Sequence, residues 1–241
     1  MIELKEIYCA YTQIKALRNI NLNIAKGEAV AFIGPNGSGK STLMKIINGI
    51  MFTEKGSYVF DGTEITSKKM NDPTFSKAFH KRIGFLFQNS DTQLFCTSVY
   101  DEVAFGPRQM GMTEEEINKR TTDSLKLLNI EELKDRTPYH LSGGEKRKTA
   151  LASILVMNPD VLVLDEPMNG LDPKTKRFLS RLIIELNKSG KTILCATHDF
   201  AYMDGVFNRA VVLSGEHTII RDDEYIKVIN DEEFLLEHNI I

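Results

Sequence analysis

The chain has 241 residues, 42% hydrophobic and 26% charged, a balance that belongs to a folded globular protein rather than a disordered one. Thirty basic against 33 acidic residues leave a formal charge of -3, which argues against a surface that binds nucleic acid over its whole extent. Cys9, Cys96 and Cys195 are odd in number and widely spaced, which excludes a disulfide framework and a zinc site by spacing and suits a reducing cytoplasm.

Taken in chain order, the first 25 residues and residues 56–65 read as short strands with turns. Asp61-Gly62 is a hairpin signal, and the set predicts a small antiparallel sheet. Glu28 to Ile33 reads as a buried strand and Thr42 to Asn48 as the helix after it. From Thr66 to Arg82, Lys68, Lys69, Lys77, Lys81 and Arg82 stand against Asp72 alone, and the run reads as a solvated face. A strand near 83–87 precedes a mostly helical stretch at 111–157, where Thr113 and Glu116 form a capping-box pattern. Val161 to Leu164 and Thr192 to Thr197 read as two buried parallel strands. Residues 173–189 form a helix with Phe178, Leu179, Leu182, Ile183 and Leu186 on one face, Pro173 in its first turn and Gly190 after its end. The last twenty residues carry seven acids against Lys227, yet enough apolar side chains to dock as short helices. Alternating strands and helices predict an α/β fold.

The apolar stretches, such as Ala150 to Met157, fall short of the ~18 residues that a membrane helix needs. Met1-Ile-Glu-Leu-Lys shows no signal-peptide core, and neither Ile2 nor the final Asn-Ile-Ile encodes a lipid anchor.

Three motifs carry chemistry. Gly34-Pro35-Asn36-Gly37-Ser38-Gly39-Lys40-Ser41, followed by Thr42, matches G-x-x-x-x-G-K-[ST]. Glycines let amides turn inward around phosphate oxygens, Lys40 reaches the β and γ phosphates, and the Ser41 hydroxyl can ligate Mg²⁺. Asp165 and Glu166 end an apolar strand, where one acid can hold Mg²⁺ and the next can deprotonate an attacking water. Leu141-Ser142-Gly143-Gly144-Glu145 precedes a helical run from Lys146 to Met157 and makes a second anion nest. Two phosphate-binding ends with one carboxylate set suggest a site shared between two chains. Lys146, Arg147 and Lys148 read as solvated or interface residues.

Together these residues resemble the ATP-binding cassette ATPases: Walker A at 34–41, Gln88 as the Q-loop, the signature at 141–145, Walker B at Asp165-Glu166, the D-loop at Gly170-Leu171-Asp172 and His198 as the H-loop. The resemblance, over roughly residues 2–220, implies a P-loop NTPase fold: a RecA-like parallel sheet with a small antiparallel β subdomain and a helical signature subdomain. It implies one domain over 1–241, with the helical part at about 90–158 and an acidic tail at about 221–241. It implies ATP and Mg²⁺, and a head-to-tail dimer, homomeric or heteromeric, with nucleotide between Walker A of one chain and the signature of the other. Tyr11 resembles the aromatic that stacks on adenine. Glu166 would be the general base, and Gln88 would meet Mg²⁺, with Ser41 and Asp165, and the attacking water. His198 would contact the γ-phosphate, and Asp172 would cross the dimer interface. His80, His140, His217 and His238 match nothing. Glu145 replaces the commoner Gln, and Met168 stands where Thr or Ser is usual.

The segments Phe87 to Phe95 and Val99 to Pro107 are similar to the ATPases of cobalt/nickel and energy-coupling-factor importers. That similarity implies a peripheral subunit on the cytoplasmic face of the membrane. A transmembrane coupling subunit would dock near Gln88–Phe105, on Leu94, Phe95, Val99 and Phe105. A separate membrane subunit would bind the cobalt, nickel or vitamin cargo, with no direct nucleic-acid contact. The alternative is a cassette ATPase acting on a ribosomal or nucleic-acid complex, and one cassette without room for a coiled coil speaks against it.

Overall fold

The computed structural model describes the backbone of residues 1–11, 14–203 and 205–241, and the side chains of residues 1–10, 16–203 and 205–241. Strands β1 (Ile2–Tyr11) and β2 (Ile14–Ile24) lead into β3 (Ala29–Ile33), and α1 (Lys40–Ile47) follows a glycine-rich loop. Next come β4 (Lys55–Phe60), β5 (Thr63–Glu64), α2 (Ser67–Met70), α3 (Pro73–Arg82) and β6 (Ile83–Leu86). Three helices then pack together: α4 (Val99–Gln109), α5 (Glu114–Leu127) and α6 (Gly143–Leu155). The chain continues through β7 (Val161–Asp165), α7 (Pro173–Lys188), β8 (Thr192–Ala196), β9 (Arg209–Leu213) and β10 (Ile219–Glu224), and ends on α8 (Tyr225–Ile229) and α9 (Glu232–Glu237).

The larger sheet has the order β10-β9-β3-β8-β7-β6, parallel except for the antiparallel β10–β9 pair. Its central strands are buried on both faces, so they are apolar at every position but Asp165 and Thr192. Alternate side chains still part to opposite sides. Ala29, Ala31, Ile33, Leu162 and Leu164 join the core shared with α4–α9, while Val30, Phe32, Val161 and Val163 join the core under α1. The second, antiparallel sheet has the order β2-β1-β4-β5, with Asp61-Gly62 turning the β4–β5 hairpin. The α/β expectation, with a parallel core beside a small antiparallel sheet, therefore holds.

The basic run at 66–82 is the solvated face expected: Lys68, Lys69, Lys77 and Lys81 are exposed, on α2 and α3, which Thr66 and Asp72 cap. Phe79 is the one buried residue between those helices, so no apolar stripe announced them. Two local readings need correction. At α5, Thr113 accepts from the Glu116 amide, but the Glu116 carboxylate pairs with Arg120 instead of closing a capping box. Helix α6 starts at Gly143, not Lys146, so both signature glycines lie inside its first turn. Its reciprocal capping box joins Ser142 and Glu145.

The acidic tail does dock as short helices. Tyr225, Val228 and Leu235 are buried in the main core, and each such apolar side chain stabilises by roughly 1.5–3 kcal/mol. The tail's charge is also used: Arg209 binds Asp222 through two bonds of 2.7 Å and Glu28 at 3.0 Å, and Arg221 binds Asp231 at 2.7 Å.

Candidate active site

Strands β3, β8, β7 and β6 are neighbours, and all four run the same way. Their C-terminal ends therefore lie side by side, the usual ligand edge of an open α/β sheet. The glycine-rich loop leaves β3, His198 follows β8, Asp165 and Glu166 end β7, and Gln88 follows β6. Residues more than a hundred positions apart thus converge on one cavity of about 320 Å³, lined by Asn36, Gly37, Ser38, Gly39, Lys40, Ser41, Thr42, Gln88, Asp165, Glu166 and His198.

The loop's shape depends on two glycines. A Cβ on Gly39 (φ 105°) would lie 2.3 Å from the Ala16 carbonyl oxygen, and one on Gly34 (φ 150°) would lie 2.3 Å from that of Leu213. The loop is thus threaded between β2 and β9, where no side chain fits. Gly39 offers no side-chain cap to α1, so the first amides of that helix remain available to an anion. Lys40 is 8% exposed, and its ammonium donates to the carbonyls of Gly34 at 2.6 Å and Pro35 at 3.0 Å. Gly34 and Pro35 hold the lysine rather than line the cavity. Burial lowers the Lys40 pKa, and the nearby Glu166 and Asp165 carboxylates work against that shift. The Ser38 hydroxyl is buried with no hydrogen-bond partner among the described residues, as expected of a group shaped for a ligand.

The carboxylates differ in surroundings. Asp165 is 5% exposed and raised by burial, with a hydrogen bond from Ser41 opposing the rise. Glu166 sits in the left-handed region at φ 49°, its amide donating to the Ala196 carbonyl at 3.0 Å. Burial pushes its pKa up to about 7, against the His198 amide and the Lys40 charge. The carboxylate lies 3.2 Å from His198 Nε2 and accepts from the His198 amide at 3.3 Å. Burial, then the Lys40 charge, lowers the His198 pKa, so a neutral ring faces the acid.

Residues 87–93, which hold Gln88, are tied to α6. Arg147, 4% exposed, donates to the carbonyls of Phe87 at 2.7 Å and Gln88 at 2.6 Å. Gln93 accepts from the Phe87 amide at 3.2 Å and donates to the Ala150 carbonyl at 3.2 Å. Lys146 pairs with Asp91 at 2.7 Å. Arg147, expected to be a solvated or interface residue, is instead buried: the guanidinium is an internal strut between the signature helix and the Gln88 segment.

The signature does not share the first cavity. Ser142, Gly143, Gly144 and Glu145 line a separate one, also about 320 Å³, with Lys148, Gly170, Leu171, Asp172 and Thr175. Asp172 caps α7, accepting from the amides of Lys174 at 2.9 Å and Thr175 at 3.1 Å and from the Thr175 hydroxyl at 2.5 Å. One chain thus carries two separate cavities, each at a helix N-terminus: one holds Lys40, Asp165 and Glu166, the other the signature residues Ser142, Gly143 and Gly144.

A family model described as ABC transporter matches residues 17–169. The chain belongs to the ABC transporter family. This ABC ATPase is 61% identical over 241 residues to a putative ABC transporter ATP-binding protein of Clostridium acetobutylicum, covering 100% of both chains. It is 40% identical over 222 residues to the nickel import ATP-binding protein LarO of Lactiplantibacillus plantarum, covering 92% of each. Its fold matches cbiO1 from Clostridium perfringens, part of the ABC transporter complex cbiONQ, with TM-score 0.83 and 37% identity over 99% of this chain and 94% of that one. It is the ATP-binding subunit of an ABC transporter, and it couples ATP hydrolysis to transport.

Two residues of the ABC ATPase's first cavity escaped sequence reasoning: Ala16 and His217. His217 lies on the β9–β10 turn at φ 64°, its carbonyl accepting from the Arg18 amide at 2.8 Å. Only the fold brings that turn to the loop, so no local signal marks it. The Tyr11 side chain, expected against adenine, lies outside the described residues.

Beside Gln88 an apolar surface stands open. Phe95 is 68% exposed and Phe105 40% exposed, their rings 4.9 Å apart and edge to face. Glu102, 3% exposed, accepts from the amides of Phe95 at 2.8 Å and Cys96 at 2.7 Å and so fixes the loop that presents Phe95. Val99 is not part of this surface. It starts α4 fully buried and packs into the main core. Among the described residues no helix is long and apolar enough to cross a membrane.

Proposed function

We propose that this ABC ATPase powers import of a small micronutrient, a transition-metal ion such as nickel or cobalt or else a vitamin, through separate membrane subunits. Its relative in nickel import supports the metal reading. The chain works as a peripheral subunit on the cytoplasmic face of the membrane, with Phe95 and Phe105 seated against the coupling subunit.

In this reading two cassettes close head to tail, so that the 34–42 loop of one faces Ser142, Gly143 and Gly144 of the other. The observation that carries it is the separation of the two cavities, the signature residues lining one and the 34–42 loop with Asp165 and Glu166 lining the other. Lys40 and the α1 amides bind the β and γ phosphates. Glu166 takes a proton from the attacking water as that water's oxygen bonds to the γ-phosphorus and the bond to the β–γ bridging oxygen breaks. His198 holds the Glu166 carboxylate in place and reaches the γ-phosphate. Gln88 orients the water and reports the state of the site to the coupling subunit, and Asp172 crosses between the cassettes.

The donor set fits Mg²⁺. Ser41, Asp165 and the Gln88 side-chain oxygen are hard oxygen ligands, with Ser41 already hydrogen-bonded to Asp165. When bound, Mg²⁺ would neutralise charge developing on the phosphates.

The test is affinity capture with Glu166→Gln protein, ATP and Mg²⁺ on detergent-solubilised membranes of its source. Recovery of a polytopic membrane protein, lost in a Phe95→Ser/Phe105→Ser variant, is the expected outcome. Recovery of ribosomal or DNA-bound proteins instead would overturn the importer reading.

A further inference from the structure

We infer that Glu145 is a charge brake on closure of the two-cassette sandwich, an internal carboxylate seated on the phosphate-binding donors of Ser142. The inference rests on the composite site proposed above. Glu145 Oε2 accepts from the Ser142 amide at 2.7 Å and from the Ser142 hydroxyl at 2.7 Å. The serine that should greet a γ-phosphate is thus already bonded to an anion. The Gly143 and Gly144 amides, the first two of α6, have no partner in the helix ladder and remain for the nucleotide.

A phosphate oxygen accepting from the same hydroxyl would lie within about 5.5 Å of Glu145 Oε2, twice the length of an ordinary O–H···O bond. The Arg136 and Lys148 charges lie near enough to favour the carboxylate, but among the described residues neither forms an ion pair with it, and the Lys148 ammonium lies over the Phe178 ring, 4.8 Å from its centroid. A second carboxylate borders the same cavity: Asp172 Oδ2 would lie 3.9 Å from a Cβ on Gly144. The Ser142 bonds also hold Glu145 below the usual carboxylate range, so it is charged at neutral pH.

The phosphate must therefore share or take over the serine while facing a like charge. In water-like screening, two unit anions at that distance oppose binding by roughly three- to fourfold per site. Two symmetric sites multiply to about tenfold on dimer dissociation. Glu145→Gln removes the charge but keeps an oxygen that accepts from Ser142, so the cap of α6 persists.

The test compares Glu166→Gln with Glu145→Gln/Glu166→Gln by sedimentation velocity in ATP and Mg²⁺. The double variant should dimerise at about tenfold lower protein concentration, and the gap should narrow as salt rises from about 0.05 to 0.5 M. Equal or weaker dimerisation of the double variant, or a gap indifferent to salt, overturns the inference. No ATP-driven dimer in either protein overturns the composite site itself, so the two failures are distinguishable.

Discussion

Replacing Arg147 with Met tests how the signature helix is joined to Gln88. Met matches the length and apolar character of the stem but makes neither hydrogen bond. The guanidinium is 4% exposed and donates to two carbonyls at 2.7 and 2.6 Å. Hydrogen bonds from a charged group contribute about 1.5–3 kcal/mol each, so the pair supplies roughly 3–6 kcal/mol. Burial acts against this, and it lowers the Arg147 pKa, so relief of desolvation offsets part of the loss. The variant should be destabilised by about 2–4 kcal/mol, read as a fall of roughly 5–15 °C in Tm at this chain length. Arg147→Lys should fall between, because an ammonium is a point donor and cannot span both carbonyls as the planar fork does. Turnover should fall with stability, since the Phe87 and Gln88 backbone loses its anchor. Thermal denaturation followed by circular dichroism, with ATPase assays well below Tm, measures both. A Met variant that melts within about 1 °C of the parent and turns over normally would refute the strut.

Lys40→Ala should weaken ATP binding at least about tenfold in titration calorimetry, because its buried ammonium lines the cavity proposed to hold the phosphates. Glu166→Gln should keep ATP affinity while turnover falls by about 10²–10⁴, the usual worth of a general base, and full turnover would remove Glu166 from that role. His217→Ala should raise KM for ATP several-fold with kcat within about twofold, because the ring lines the loop cavity without touching either acid; an unchanged KM would mean the ring only fills space.

The central strands were legible because each is buried on both faces, which forces an unbroken apolar run at 161–164 and 193–196. The glycine-rich loop was legible because its chemistry is local: the lysine, its helix and its glycines are consecutive. Asp165 and Glu166 were read from two acids closing an apolar strand, Gln88 and His198 through their place in a family pattern, and the strand order then explains why they meet. What could not be read depends on distant backbone. Arg147 is buried by carbonyls about 60 positions earlier in the chain, and a charged residue beside two lysines gives no hint of that. His217 reaches the loop only because β9 pairs with β3. Val99 belongs to a short segment rich in apolar side chains, and only packing decides that it turns inward while Phe95 and Phe105 turn outward. Helix α6 began early because a serine followed by two glycines marks a turn as readily as a first helical turn, and Glu145 decided it by closing the cap.

The most direct measurement of the central claim is ATP hydrolysis by the purified chain, titrated with detergent-solubilised membranes of its source, with Glu166→Gln as the blank. The account predicts a basal rate that rises with the membrane fraction and does not respond to ribosomes, RNA or DNA. A rate raised by nucleic acid or ribosomes and indifferent to membranes would contradict it.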